Sequence, residues 1–305
     1  MKEDRIRRGR LGGERGCGVS RFLSSMEADR RIADADVLVD MAHLLMLRRQ
    51  GMVSEEHARA IMGVLLGLAE KGVPGEVFDD RFEDVHAGME AYLIDRLGEE
   101  TGGRIHAGRS RNDEVAACIR IRAREEVIGL MAGVNRLREV LLTLAGEHTG
   151  TVMPGLTHLQ YAQPTTLGHH LLAYEEALSR DFARLLSAFP RMNRSPLGAA
   201  AFASTGFPID REYTARLLGF DGLAENSMDA VSTRDFLLEV LSVCAILSTT
   251  VSRLSADLIL WASPFAGFVT LSDEYCSTSS IMPQQKNPDT LEILRAKSGT
   301  AAGSL

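Results

Sequence analysis

Residues 235–262, DFLLEVLSVCAILSTTVSRLSADLILWA, decide the fold class that the sequence predicts. The stretch contains neither proline nor glycine, and its apolar residues cover most sides of a helix. Such a helix is about 40 Å long at a rise of about 1.5 Å per residue. Because it carries few charges, several neighbouring helices must cover it. We therefore predict a bundle of long helices that other subunits complete.

A second apolar stripe precedes this helix, and strand patterns are scarce throughout the chain. The stripe repeats at helical spacing inside the proline-free stretch 75–153 and consists of Val127, Leu130, Val134, Leu137, Leu141 and Leu144. The predicted fold class is therefore all-α.

The chain divides by composition near residue 103. Shorter amphipathic helices are predicted at 27–50 and 54–71, with Ser54 as the N-cap of the second. We predict a small N-terminal helical domain over 1–103 and a central long-helix bundle over 104–305. The last helix runs into Leu305 without a polar cap, so we expect an incomplete bundle in an N-terminal portion that lacks a C-terminal domain.

Composition and charge exclude several function classes. The 305 residues include 41 acidic and 34 basic side chains, and a net charge of −7 is opposite to that of a nucleic-acid-binding surface. Four cysteines without close pairing predict free thiols in a reducing compartment. Residues 240–252 are too few to span a membrane, and the N-terminus lacks the apolar core of a signal peptide. We expect a cytoplasmic protein without nucleic-acid or membrane partners.

The first polar cluster is GRSRND at 108–113, just before a predicted helix that begins near Glu114. Asn112 or Asp113 is a suitable N-cap, and free N–H groups at a helix start attract anions. Arg109 and Arg111 add forked donors suited to carboxylate or phosphate. The alternative is an ordinary capped helix with solvated arginines.

The second polar cluster is PGLTHLQ at 154–160, a predicted loop between long helices. Histidine as a residue type ionises near neutrality, which makes His158 a candidate general acid or base, although a loop histidine is more often a plain surface residue. His169 and His170 lack the spacing of a helical zinc site, so we interpret them as helix-start residues and predict no metal site.

The third polar cluster is STSSIMPQQKNPD at 277–289, where four hydroxyl side chains precede Lys286. Loops on rigid scaffolds often carry catalytic groups, which favours a functional segment. A flexible linker between helices is the alternative.

Together these clusters resemble the argininosuccinate lyases of the fumarase/aspartase superfamily, in particular the archaeal branch. The segments that carry the resemblance are RRGRLGGER (7–15), GRSRND (108–113), PGLTHLQ (154–160), NSMDAVSTRDF (226–236) and SSIMPQQKNPD (279–289). The resemblance implies β-elimination of argininosuccinate to arginine and fumarate, in arginine biosynthesis, without a metal or organic cofactor. It also implies an all-α homotetramer whose active sites each draw on three subunits.

The resemblance assigns roles residue by residue. It implies that Ser279 is the catalytic base, that His158 serves the acid side, and that Lys286 and Asn287 lie near the carboxylate. The positions that match substrate contacts are Ser25, His86, Ser110, Arg111, Asn112 and Thr157, with Arg234 and Asp235 as a nearby supporting pair.

Two positions depart from the family pattern. Thr278 stands where many members have glycine, and Gln285 stands where the MPxKxNP motif has lysine. The Gln285 departure favours an alternative, a helical assembly protein of the same fold that is catalytically impaired or non-catalytic. A third hypothesis is another superfamily elimination, such as fumarate hydration or adenylosuccinate cleavage, and GRSRND argues against it.

Overall fold

A computed structural model describes residues 16–305; the segment 7–15 and the N-terminal residues examined for a signal peptide lie outside the described residues. The helices and strands, in chain order, are α1 Cys17–Leu23, α2 Met26–Asp29, α3 Ala33–Arg49, α4 Glu55–Lys71, α5 Val85–Leu97, α6 Glu99–Gly102, α7 Arg111–Glu147, β1 Val152–Thr157, β2 Gln160–Thr166, α8 Leu167–Met192, α9 Arg211–Leu217, α10 Ser227–Ser232, α11 Asp235–Ala262 and α12 Asp289–Gly303. Short 3₁₀ helices lie at Gly75–Phe78, Gly103–His106 and Asp273–Tyr275. The predicted all-α class is confirmed, with one small hairpin added.

The chain forms two compact units. Unit 1 comprises residues up to Glu125 together with Pro190–Thr233, and unit 2 comprises Glu126–Phe189 together with Arg234–Leu305. The division falls inside α7 and α8. The predicted domain boundary at 103/104 lies within unit 1 and stays a prediction.

Unit 1 packs around α3, whose side chains Val39 and Leu47 are fully buried with Ile61 and Leu65 of α4. Ser54 caps α4 as predicted, since its hydroxyl accepts the His57 N–H at 3.3 Å. The helix predicted at 27–50 is instead two helices, α2 and α3, because the chain turns at residues 30–32.

Unit 2 packs α7, α8 and α11 together. Its buried core consists of Val134, Leu141, Ala145, Leu171, Tyr174, Leu178, Leu247 and Leu254. The predicted stripe therefore faces this core at Val134 and Leu141, whereas Leu144 at its end is exposed. α11 has the bounds that the sequence predicts, and it packs against α12.

The segment predicted as a loop at 154–160 is part of an antiparallel hairpin of β1 and β2. Thr157 pairs with Gln160, so His158 and Leu159 form a two-residue turn with φ of +54° and +59°. Such a turn matches the twist of the flanking strands and usually contains Asn-Gly. The sequence lacks that pair, which is why the hairpin was not predicted.

α11 leaves several apolar side chains uncovered, among them Leu238, Leu241 and Ile246. Among the described residues it is the one helix long and apolar enough to cross a membrane by length and composition. Core helices of soluble proteins meet the same criterion, so the predicted absence of a membrane partner stays a prediction.

Candidate active site

The GRSRND segment forms the start of α7, which begins at Arg111 rather than near Glu114. The predicted N-cap at Asn112 or Asp113 is wrong, because Ser110 precedes the helix and its hydroxyl accepts the Asn112 N–H at 3.3 Å. Asp113 Oδ1 in turn accepts the Ser110 N–H at 3.1 Å. The bond from Ser110 N–H to Asp113 is one half of a capping box, with aspartate as its acidic member.

Asp113 also anchors a loop that the sequence analysis did not single out. Its Oδ2 accepts the N–H groups of Gly198 at 2.9 Å and Ala200 at 2.8 Å. The Asn112 amide donates to the Ala201 carbonyl at 2.9 Å. Ala200 has a φ of +52°, a conformation that costs a non-glycine residue energy. The loop and the helix start thus form one hydrogen-bonded structure.

We expect Asp113→Ala to lower the free energy of unfolding by about 2–4 kcal/mol, because it removes a helix cap and leaves buried N–H groups without an acceptor. Urea unfolding of both proteins measures the change. Asn112→Ala, which removes the exposed neighbouring amide, is the matched control and should cost less than about 1 kcal/mol. Equal losses in the two variants would contradict the anchoring role.

Three predicted site residues meet around the segment 83–86. Ser25 donates its N–H to the Glu83 carbonyl at 3.0 Å, and its hydroxyl donates to Asp29 at 2.6 Å. Arg111 forms an ion pair with Asp84, the N-cap of α5. His86 follows in the first turn of that helix. A hydroxyl, a guanidinium and an imidazole therefore gather where α1, α5 and α7 begin or end.

The Arg109 side chain faces neither solvent nor a place for an anionic ligand. Its guanidinium is 3% exposed and lies 2.7 Å from Asp40 and 2.8 Å from Glu114. The predicted role as an anion donor beside Arg111 is wrong for Arg109, because the buried carboxylates of α3 and α7 already bind it. The alternative of a solvated arginine is equally wrong for this residue.

His86 belongs to the same buried cluster. Its Nδ1 lies 2.8 Å from Asp36 Oδ1 and 3.8 Å from Glu114 Oε1. Burial lowers the pKa of His86, but the charge and hydrogen bond of Asp36 outweigh it and raise the pKa to about 9. Burial raises the pKa of Asp40 to about 6 and that of Glu114 to about 8. His86 and Glu114 therefore hold their protons at neutral pH.

The raised pKa of His86 predicts a pH-dependent stability. The imidazolium stabilises the fold fully below pH 6.5, and this contribution is lost as the pH rises through about 9. We expect the free energy of unfolding to fall by up to about 3 kcal/mol across this window. Urea unfolding at several pH values measures it. His86→Gln is the control and should flatten the profile; an unchanged slope would contradict the assignment.

One buried group has the composition of a metal site. Atoms of Asp36, His86 and Cys118 lie within 4.8 Å of one another. However, Asp36 Oδ1 already accepts from His86 Nδ1 and from Cys118 Sγ, the latter at 3.5 Å. Burial also raises the pKa of the Cys118 thiol well above its usual value. The group therefore fits a hydrogen-bonded network better than a cation, in keeping with the prediction of no metal.

In unit 2, Thr157 ends β1 and His158 lies in the hairpin turn, and both residues are exposed. The turn therefore presents the imidazole to solvent rather than to a core. Arg234 directly precedes α11, where burial lowers its pKa, and Asp235 accepts the Phe236 N–H at 2.8 Å.

The hydroxyl-rich loop has a defined structure. Backbone hydrogen bonds of 3.0 and 2.8 Å between Ser277 and Asn287 close it. Ser279 Oγ accepts the N–H groups of Ile281 at 3.4 Å and Met282 at 3.2 Å. These two donors would stabilise negative charge on the serine oxygen. Whether the loop is functional stays a prediction.

Gln285, at the lysine position of the motif, and the neighbouring Lys286 differ in their surroundings. Lys286 is exposed, and its Nζ lies 2.5 Å from Asp273. Gln285 is half-buried and directs its amide to Met282 Sδ at 3.5 Å. The ammonium group of Lys286 is therefore engaged by a carboxylate outside the MPxKxNP motif.

His169 and His170 lie in the first turn of α8, as predicted. His169 bonds to Thr165, whereas His170 Nε2 lies 2.9 Å from Asp257, which also accepts the Tyr174 hydroxyl at 2.6 Å. His170 thus has a structural partner on α11.

The structure divides the predicted site residues between the two units. Unit 1 contains Ser25, His86, Ser110, Arg111 and Asn112, and unit 2 contains Thr157, His158, Arg234, Ser279, Lys286 and Asn287. Their catalytic and binding roles stay predictions.

The family affiliation follows from residues 14–303, which match a family model described as Lyase. The chain belongs to the lyase family. The chain is 64% identical over 305 residues to the argininosuccinate lyase of Methanoculleus marisnigri and 63% identical over 304 residues to that of Methanosphaerula palustris. Each comparison covers 100% of this chain and 62% of the relative.

Solved structures confirm the superfamily fold of this lyase. EDDS lyase in complex with formate superposes with a TM-score of 0.84 at 34% identity, over 96% of this chain and 58% of that one. A class II fumarase from Schistosoma mansoni superposes with a TM-score of 0.76 at 20% identity, over 94% and 70% of the two chains. The fumarase likeness concerns the fold alone.

Proposed function

We propose that the protein carrying this sequence is an argininosuccinate lyase, which splits argininosuccinate into arginine and fumarate. The observation that carries the proposal is 64% identity along the whole chain to a relative of that name. The chain spans 62% of that relative's length, so the activity is assigned to the protein as a whole.

Ser279 serves as the base in this proposal. The reaction removes a proton from the carbon next to a carboxylate, and the proton goes to the serine oxygen. A serine can accept it only when nearby donors stabilise the alkoxide form. The N–H groups of Ile281 and Met282 are such donors, and the Ser277–Asn287 closure holds them in place.

The carbanion formed is a dianionic aci-carboxylate, and fixed donors lower its energy. Asn287 and Lys286 supply an amide and an ammonium group from the same loop in this proposal. The Cα–N bond to the guanidinium then breaks, and the departing nitrogen takes a proton from the acid side. His158 serves there because an imidazole donates a proton near neutral pH.

The residues of unit 1 bind the substrate in this proposal. Argininosuccinate carries three carboxylates, which suit guanidinium, hydroxyl and amide donors. Arg111, Ser110 and Asn112 offer these groups at the start of α7, and Ser25 and His86 adjoin them through the segment 83–86. Thr157 and Arg234 are further substrate-binding residues in this proposal. These groups supply the proton transfers and the charge stabilisation, so we assign no cofactor.

A non-catalytic helical assembly protein is the second candidate function. The observation that favours it is Gln285 in place of the motif lysine, with Lys286 held by Asp273. Release of fumarate from argininosuccinate, followed by ultraviolet absorbance, decides between the two. Steady fumarate release supports the lyase; no release at high protein concentration supports the assembly protein.

We also propose a cytoplasmic homotetramer. The uncovered Leu238, Leu241 and Ile246 of α11 form an apolar surface that a second copy of the chain would cover. We expect light scattering to report an assembly larger than the 33.3 kDa chain. Leu241→Glu should weaken that assembly, whereas Ser242→Glu is the neighbouring control. A monodisperse monomer that melts cooperatively would contradict the proposal.

A further inference from the structure

We infer that Asp36 is a positioning residue that holds the His86 imidazole doubly protonated, so that its Nε2–H donates to a carboxylate of the substrate. The inference rests on the proposed function, because that function supplies the carboxylate. It adds a residue from α3 that neither the family motifs nor the sequence analysis singled out.

The hydrogen bond between the two side chains fixes the imidazole. Asp36 is fully buried and His86 is 5% exposed, and their Oδ1 and Nδ1 atoms are 2.8 Å apart. A carboxylate accepts, so Nδ1 carries a proton. Cys118 donates to the same Oδ1 at 3.5 Å, which keeps the carboxylate in this orientation. The ring can therefore not rotate to present Nδ1 elsewhere.

The charges around His86 favour the imidazolium. The groups that interact with it are Asp36 and Asp40 from α3, Glu114 from α7 and Asp84 from its own helix start, and Cys118 of α7 lies within 4.8 Å. Arg109 pairs with Asp40 and Glu114 at 2.7 and 2.8 Å. Asp36 is thus the carboxylate that bonds to the imidazole itself.

The second ring nitrogen points to a ligand. Among the described residues Nε2 is buried and has no hydrogen-bond partner. A buried N–H without an acceptor costs about 1–3 kcal/mol, so such groups normally have one. The Arg111 guanidinium pairs with Asp84 in the segment that carries His86. An anionic oxygen bound beside this guanidinium would complete the hydrogen bonds of the ring.

The test is ¹⁵N NMR of the histidine ring nitrogens in the intact protein, with the His86 signals identified by their loss in His86→Gln. We expect both nitrogens to be protonated at neutral pH, and added fumarate to shift the Nε2 signal. In Asp36→Asn the ring should lose its second proton at least ~1 pH unit earlier. A neutral His86 ring in the unmodified protein would overturn the inference, even if the variant does not fold.

Kinetics provide the matched comparison. Asp36→Asn should lower kcat/KM for argininosuccinate by ~10-fold or more, with loss of activity beginning at lower pH. Asp40→Asn is the control, since Asp40 is equally buried but pairs with Arg109. Equal losses in both variants, or an unmoved pH profile in Asp36→Asn, would overturn the inference. If the unmodified protein releases no fumarate, the proposed function fails, while the NMR titration and the fumarate shift still decide the role of Asp36.

Discussion

Replacing Ser279 with alanine is expected to lower kcat by at least ~10²-fold, because it removes the general base of the proposed elimination. The hydroxyl oxygen is the acceptor for two backbone N–H groups, and an alanine side chain has no oxygen to replace it. Binding of argininosuccinate should be largely retained, since the proposed carboxylate contacts lie elsewhere. Initial rates of fumarate release and equilibrium binding of substrate measure the two effects separately.

Ser280→Ala is the matched control, because it removes the same hydroxyl from the next residue. Ser280 is exposed, and its loss should cost much less than the loss of Ser279. If Ser280→Ala lowers kcat more than Ser279→Ala does, Ser280 rather than Ser279 is the base. If neither change affects fumarate release, the loop does not supply the base.

Gln285→Lys is expected to raise kcat/KM, mainly through kcat. The aci-carboxylate concentrates negative charge in the transition state, so an added ammonium acts more strongly there than on bound substrate. One preorganised donor is typically worth about 3–4 kcal/mol in barrier, or roughly 10²–10³ in rate. Gln285 is half-buried on the loop that holds Ser279, so a lysine there would lie near the reacting centre.

Lys286→Gln tests whether the neighbouring ammonium already performs this role. Lys286 pairs with Asp273 at 2.5 Å, and this geometry predicts a small effect. If Lys286→Gln abolishes fumarate release while Gln285→Lys changes nothing, Lys286 has moved to the reacting centre during the reaction. If neither variant alters a measurable rate, the charge argument fails. Circular dichroism of each variant ensures that the rates come from folded protein.

The sequence predicted the features that depend on neighbours along the chain. The helical spacing of apolar residues predicted α11 and the core-facing stripe of α7. The residue type and position of Ser54 predicted that it caps α4. The fold class followed because a helix so apolar has few stable environments outside a bundle. The start of α7 was missed by a few residues, since Ser110, Asn112 and Asp113 are all good caps and only the backbone path decides among them.

By itself, therefore, the sequence determined the long helix α11, the superfamily and the segments that carry polar chemistry. Only the tertiary structure decided which of those polar groups are exposed and which are paired inside the fold. Arg109 binds buried carboxylates, Asp113 ties down Gly198 across 85 residues, and Asp36 reaches His86 across 50. The physical reason is that hydrogen bonds and ion pairs depend on distance in space, whereas helical periodicity depends on spacing along the chain.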